Sequence, residues 1–277
     1  VDIELLKTFL AVHRTGHFGQ AADRLFITQS AVSARIRLLE ETLGLQVFTR
    51  KRNDIRLTPA GNRLLEHAET IVNAWQRARQ DTGLDEDYTA SLAVGALFDL
   101  WHILLEDWLY RLRREMPGVA LIAEAHPTEG LVRRMLDGVL DLAFVFEPPQ
   151  IPELMVKEVA TVNLVMVSTE PARSVPEALA GDYVMVDWGA SFARSHSKLF
   201  PDLRTPVVRI SLGSLALEYL RRCGGSGYLP ERMVAEPLLR GELHRVNGAP
   251  AVERFAYAMY RTDGERDALI RQALGHV

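Results

Sequence analysis

Residues 9–61 read FLAVHRTGHFGQAADRLFITQSAVSARIRLLEETLGLQVFTRKRNDIRLTPAG: two short amphipathic runs, a longer one, then two β-rich segments around a basic turn. Just upstream, Ile3, Leu6, Phe9, Leu10 and His13 recur at helical spacing and predict a helix over 3–15, ended by Gly16. A second helix is expected over 18–25, with Ala21, Ala22 and Leu25 facing inward. The two adjacent alanines let another helix approach closely. Phe26-Ile27-Thr28 is a tight connection, and the Thr28 hydroxyl can cap a third helix over 29–43, which Gly44 terminates. In that helix Val32, Ile36, Leu39 and Leu43 form one stripe expected to be buried. Ser30, Ser33, Ala34 and Arg37 fall on the opposite half, with Arg35 on a flank. Small residues there allow approach to base edges, and cations meet phosphates, which is what a recognition helix needs. Residues 46–50 and 55–58 read as short strands around the basic turn 51–54. This is a wing, with Arg50, Lys51, Arg52 and Arg56 placed for phosphates or a minor groove.

The composition agrees with such a head on a larger body. The chain has 277 residues, 48% hydrophobic and 25% charged, the profile of a soluble globular protein of one large domain or two ordinary ones. Its net charge of −4 divides unevenly: nine basic against six acidic residues give +3 for 1–58, which leaves −7 for the remainder. A basic module on an acidic body fits a DNA-binding head joined to something that binds something else. Cys223 is the single cysteine, so no disulfide forms within the chain. No apolar run approaches the roughly 18 residues of a membrane span, and the first residues show no signal-peptide pattern. The expected compartment is the cytoplasm.

The plain alternative for the head is that its helices only pack on each other and its arginines are solvated. Against it stands the whole string, which resembles the LysR-type transcriptional regulators over its full length. The matching residues include Phe18, Ala21, Ala22, Leu25, Gln29, Ser30, Ala31, Val32, Ser33, Ile36, Leu39, Glu40, Leu43, Gly44, Phe48, Arg50, Leu57, Thr58, Ala60 and Gly61. The wording DIELLKTFLAVHRTGHFGQAA is most similar to HdfR-type members of that family. The resemblance implies DNA contact at Gln29, Ser30, Ser33, Arg35, Arg37, Arg50, Arg52 and Arg56. The chain departs from the family in one respect: many members have arginine where it has Ala34 and glutamine where it has Arg35. The cation is thereby moved one residue round the helix, and whether Arg35 reaches a base edge or a phosphate is open.

Thr58-Pro59-Ala60-Gly61 starts a further helix, a cap followed by proline at the first helical position. Leu64, Leu65, Ala68, Ile71, Val72 and Trp75 form an apolar stripe along it to about residue 80. One reading packs the stripe on the chain's own body. The other pairs it antiparallel with the same helix of a second copy, and this is favoured because LysR-type regulators are held to dimerise in this way. A two-fold dimer would set two recognition helices about 34 Å apart, on an interrupted inverted repeat. Residues 83–88 read as an acidic hinge.

From Ala90 the pattern becomes alternating strands and helices, with strands over 91–96, 119–125, 141–146, 161–168, 183–187 and 207–210 and helices over 101–115 and 128–137. This rhythm predicts α/β layers with mainly parallel sheets. Ligands in open α/β sheets gather beyond the carboxyl ends of strands. Those ends are 96–99, 127–128, 146–147, 188–192 and 211–214. By resemblance the body is a type-2 periplasmic-binding-protein-like effector domain of two lobes with a cleft between them. Candidate effector contacts are Ala96, Phe98, Asp99, Thr128, Phe146, Trp188, Ser191, Ser211 and Ser214. Thr128 is either an anion site at a helix N-terminus or a plain N-cap. Asp99 either favours a cationic or amine-bearing effector or caps the next helix.

An enzyme needs a constellation, and none is legible. Ser191, His196 and Asp187 lie near one another without a nucleophile elbow. The eight histidines have no metal-ligand spacing, and Gly224-Gly225-Ser226-Gly227 follows a helix and lacks a phosphate-loop context. Cys223 is either a redox sensor or a buried thiol, and the buried thiol is favoured because no resolving partner is present. The expected architecture is therefore α + α/β. A winged helix-turn-helix spans 1–58 and a linker or dimerisation helix with hinge spans 59–88. An effector-binding domain spans 89–277, with lobe I over 89–160 and 250–277 and lobe II over 161–249. No cofactor, metal or membrane is expected. The partners implied by the resemblance are double-stranded DNA, a second copy (homodimer or dimer of dimers), a small-molecule effector and RNA polymerase.

Overall fold

The computed structural model describes residues 2–51, 54–82, 88–203, 205–261 and 266–277. The chain divides into two compact units, Val1–Asp87 with Leu136–Val139, and Tyr88–Met135 with Leu140–Val277.

The first unit opens with three helices, α1 (Ile3–Thr15), α2 (Phe18–Leu25) and α3 (Gln29–Leu43). Their ends follow from side chains that satisfy orphan backbone groups. Asp2 accepts from the Glu4 N–H, His17 Nδ1 from Gly19 N, and Thr28 Oγ1 from Ala31 N at 3.2 Å. Two strands follow, β1 (Phe48–Lys51) and β2 (Asp54–Leu57), antiparallel with Phe48 opposite Leu57. They sit slightly off the expected 46–50 and 55–58. The cause is Glu40, whose carboxylate takes the N–H groups of Val47 and Phe48 at 3.0 and 3.4 Å and holds the lead-in to β1 against α3.

The wing root closes the core. Phe48 stacks tilted on Phe9 at 5.2 Å and edge-on to Phe18 at 6.5 Å, among Leu6, Val12, Ala21, Val32, Ile36 and Leu39. Leu43 lies outside that core, 39% exposed, so the buried stripe of α3 is one residue shorter than its spacing suggests. The turn at 52–53 lies outside the described residues.

The long helix α4 (Pro59–Thr82) starts where Thr58 Oγ1 accepts from Gly61 N at 3.0 Å and donates to the Gln46 carbonyl at 2.7 Å. At 24 residues it is about 36 Å long. Ala68 and Val72 are buried in the same core as α1, and Arg14 bonds Glu69 across the two helices. Of the expected hinge over 83–88, residues 83–87 lie outside the described residues.

The second unit begins with β3 (Ala90–Ala96). The short helix α5 (Phe98–Leu100) runs through a π-helical turn (Trp101–Leu105) into α6 (Glu106–Glu115). The expected single helix over 101–115 is thus interrupted, and a π insertion of this kind often marks a functional position. Then come β4 (Val119–Ala125), α7 (Thr128–Leu136), β5 (Leu142–Val145), the long β6 (Met155–Ser168), α8 (Val175–Ala180) and β7 (Tyr183–Val186). The remainder is α9 (Ala190–Leu199), β8 (Val208–Ile210), α10 (Gly213–Cys223), β9 (Ser226–Pro230), α11 (Glu231–Leu239), β10 (His244–Arg245), β11 (Val252–Tyr260) and α12 (Asp267–Leu274).

One curled sheet runs β4-β3-β5-β11-β6-β9-β7-β8, with β10 beside β6. It is mixed, which corrects the expectation of mainly parallel pairing. The outer strands pair parallel: β3 with β4 and β5, β7 with β8 and β9. The two long central strands, β6 and β11, run antiparallel to each other and to their neighbours.

These two strands join two α/β lobes. β6 pairs with β11 over its first ten residues and with β9 and β10 over its last. Trp108, fully buried, packs edge-on to Phe144 at 5.2 Å, and its indole N–H bonds the Ala273 carbonyl at 3.0 Å. That contact pins the C-terminal helix to the first lobe. Cys223 is exposed, which corrects the expected buried thiol: it is the last residue of α10, a turn beyond buried Leu220, where the helix has run past the core.

Candidate functional site

The head presents one face of α3. Val32, Ile36 and Leu39 are buried, so Gln29, Ser30, Ala34 and Arg37 stand exposed on the other side, with Ser33 half-buried at the margin. Thr28 and Ser30 share a hydroxyl hydrogen bond of 2.9 Å at the helix start. Arg35 differs from the others. Its Nη1 lies 3.5 Å from Glu4 Oε2 and 3.4 Å from Thr8 Oγ1, so α1 holds it on the flank. Shifting a cation by one residue therefore gave it a partner inside the fold. Arg56 is exposed on β2. Arg50 belongs to β1, its side chain outside the described residues, and Arg52 lies outside them altogether.

The stripe on α4 divides in two. Ala68 and Val72 are buried and Leu64 and Leu65 partly so, all against the unit's own core, whereas Ile71 and Trp75 are 45% and 47% exposed. Only the latter two are available to another surface.

In the second unit, a cavity of about 260 Å³ opens between the lobes, lined by Leu97, Phe98, Asp99, Thr128, Phe146, Glu147, Asp187, Trp188, Gly189, Ser211, Leu212 and Arg254. Six of the sequence candidates meet there: Phe98, Asp99, Thr128, Phe146, Trp188 and Ser211. Ala96 is fully buried in β3 and does not reach the cavity. Ser191 borders a neighbouring groove, and Ser214 contributes its backbone N–H. Thr128 is the first helical residue of α7, and the carbonyl of Pro127 takes the Leu131 N–H, so the expected cap by Thr128 shifts one residue upstream.

Asp99 is a cap, but of a helix far along the chain rather than the one that follows it. Its carboxylate accepts from Gly213 N, at 3.0 and 3.1 Å to its two oxygens, and from Ser214 N at the start of α10. Burial pushes its pKa above the ordinary carboxylate value, and the two N–H groups pull against that shift. Only glycine fits at 213, because a Cβ there would lie 2.4 Å from the Trp188 ring. Trp188 is fixed in turn by its indole N–H on the Tyr228 carbonyl at 2.9 Å.

Sequence reasoning missed Arg254 altogether, and it put Glu147 and Asp187 at strand ends without naming either as a contact. Glu147 Oε1 accepts from Ser191 N at 2.7 Å, at the start of α9, and from Arg254 at 3.4 Å. The Arg254 guanidinium lies 3.9 Å above the Phe146 ring and is only 5% exposed. Burial lowers its pKa to about 10, with Glu147 and Asp187 opposing the shift, so it remains a cation at neutral pH. A signal for it did exist. In VERFAYAMY the side chains alternate, and Arg254 occupies an inward position between Val252 and Ala256.

A winged helix-turn-helix joined to a two-lobed α/β body with an interlobe cavity defines a one-chain regulator with separate units for nucleic acid and for small molecules. Residues 3–62 match the model of the bacterial regulatory helix-turn-helix protein, lysR family, and residues 86–277 that of the LysR substrate binding domain. The chain belongs to the LysR family of transcriptional regulators. It is 38% identical to the HTH-type transcriptional regulator HdfR of Yersinia enterocolitica, over 99% of this chain and 95% of that one. The HdfR regulator of Salmonella dublin is 37% identical over 98% and 96%. Among solved structures, full-length CbnR complexed with its target DNA superposes with a TM-score of 0.66 at 20% identity, covering 100% and 99% of the two chains. Among the described residues, no helix is long and apolar enough to cross a membrane.

Proposed function

We propose that this regulator binds an interrupted inverted repeat as a dimer and that a small molecule in the interlobe cavity alters that binding. The observation that carries the DNA reading is the exposed face of α3, where Gln29, Ser30 and Arg37 project on the side opposite the buried stripe. In this reading Gln29, Ser30 and Ser33 meet base edges. Arg37, Arg50, Arg52 and Arg56 meet phosphates. Arg35, tied to Glu4 and Thr8, sets the flank and reaches at most a phosphate.

Ile71 and Trp75 supply the apolar contact along α4 with a second copy, as a dimer or a dimer of dimers. The working divisions are 1–58, 59–88 and 89–277, with lobe I over 89–160 and 250–277 and lobe II over 161–249. The protein acts in the cytoplasm with RNA polymerase as its downstream partner, and it is a regulator, not an enzyme. The CbnR complex and the HdfR names of its relatives support the same reading.

The test is a gel shift on a promoter fragment containing the repeat, with a scrambled fragment as control. Gln29→Ala and Ser33→Ala are each expected to narrow the preference for the repeat by roughly 1–3 kcal/mol. Binding that is unchanged in both variants would defeat this assignment of the face.

A further inference from the structure

Helix N-termini facing a cleft are ready-made sites for anions, because their N–H groups point outward and the helix dipole favours negative charge. In lobe II both α9 and α10 begin at the interlobe cavity. Each is already occupied by a carboxylate from the opposite lobe: Glu147 takes Ser191 N at 2.7 Å, and Asp99 takes Gly213 N at 3.0 Å. Asp99 follows β3 and Glu147 follows β5, so the chain itself delivers these two anions across the cleft. Among the described residues lining the cavity, three carboxylates (Asp99, Glu147, Asp187) face one cation. That cation, Arg254, is committed to Glu147 and stacked on Phe146. Nothing ionic is left over for an incoming anion at these two helix ends. The N-terminus of α7 remains, with Thr128 on the lining, but Glu129 sits in its first turn.

What remains on the walls is apolar (Leu97, Leu212), hydroxyl-bearing (Thr128, Ser211), aromatic and acidic. Phe98 is the open aromatic face, 47% exposed, whereas Trp188, only 2% exposed, is locked in place beside Gly213. An aromatic face binds a cation at about 0.5–2 kcal/mol, and the Arg254–Phe146 stack shows this pairing already made inside the cavity. The volume, about 260 Å³, lies just below the roughly 300–1,000 Å³ of ordinary ligand pockets and suits a compact ligand. We propose that the effector of this cavity is a small organic cation, an amine or guanidine on an apolar or aromatic body, and that Asp99 and Glu147 stand in for the anion that the cavity would otherwise select. This inference rests on the reading of the cavity as the effector site.

Benzylamine and benzoate form a probe pair matched in size and opposite in charge. Calorimetric titration and thermal unfolding of the full chain are expected to show benzylamine binding at least about tenfold tighter than benzoate, the ratio that one unmatched charge contact gives. Asp99→Ser empties the end of α10 and is expected to reverse the order, with benzoate or acetate raising the melting temperature of the variant but not of the parent chain. Glu147→Gln, which keeps a hydrogen-bond acceptor, tests the second stand-in without depending on how Asp99→Ser folds, and it is expected to weaken benzylamine.

Benzoate binding the parent chain as tightly as benzylamine overturns the charge class while leaving the cavity an effector site. If neither probe binds, and neither changes the gel shift, both the charge class and the effector reading fall.

Discussion

His196 lies in a cage of aromatic rings, with Phe192, Phe200, Tyr183 and Tyr228 all within 6 Å of it, centroid to centroid. Burial holds the Tyr183 hydroxyl far above its ordinary pKa, so it stays protonated and shares a hydrogen bond of 2.6 Å with His196 Nε2. Burial also disfavours the charged imidazolium and so keeps the His196 pKa below 6.5. A depressed pKa means that the unfolded chain binds the proton first. Stability from this site is therefore complete above pH 6.5 and is lost as the pH falls below it toward the folded value, at up to about 1.4 kcal/mol per pH unit. Denaturant unfolding followed by tryptophan fluorescence at pH 7.5 and 5.5 is expected to show this loss, and His196→Gln to shrink it. An equal loss in the variant would place the effect elsewhere. None of this was legible beforehand. His196 stood out only for its nearness to Ser191 and Asp187, and its four aromatic neighbours come from three separate elements.

Helix boundaries were the most legible feature at the scale of elements, because they are set within a few residues of themselves. Thr28 and Gly44 bracket α3, and Thr58 opens α4, each through a bond spanning four residues or fewer. Strands were read where the sequence is an apolar run, as in β4 and β5, and missed where it is not, as in β11, the first half of β6, and β9, which is buried but short and begins in the glycine-rich stretch at 224–227. The cavity was half legible for the same reason: its strand-end residues could be named, but Arg254 and the long-range partners of Asp99 could not.

The α4 stripe carries the same lesson, since spacing marks a face as apolar without saying what covers it. Ala68 and Val72 are covered within the unit, and Ile71 and Trp75 are not. The double variant Ile71→Ser/Trp75→Ser is thus expected to weaken self-association by at least tenfold in sedimentation while leaving the helical signal of the head intact. Ala68→Asp, by contrast, is expected to unfold the head. Unchanged association in the double variant would move the dimer contact off this face.

At the scale of the whole molecule the charge division governs behaviour in salt. The body, at −7, repels DNA, and the head, at +3, must bind through a few well-placed cations. If Arg37, Arg50, Arg52 and Arg56 of two copies each neutralise one phosphate, about eight counterions are released. The logarithm of the association constant then falls with the logarithm of salt concentration at a slope of about −7. Arg37→Ala, which removes one contact per copy, is expected to flatten that slope by about 2. A slope that Arg37→Ala leaves unaltered would remove Arg37 from the phosphate contacts.

The pairing of β6 and β11 has a consequence for how such a body can be cut, joined or inherited. A fragment that ends inside either strand abandons a long row of unpaired N–H and C=O groups, which is a template for aggregation. The lobes are therefore not interchangeable cassettes. Recombination that trades one lobe for a relative's must also trade both crossing strands.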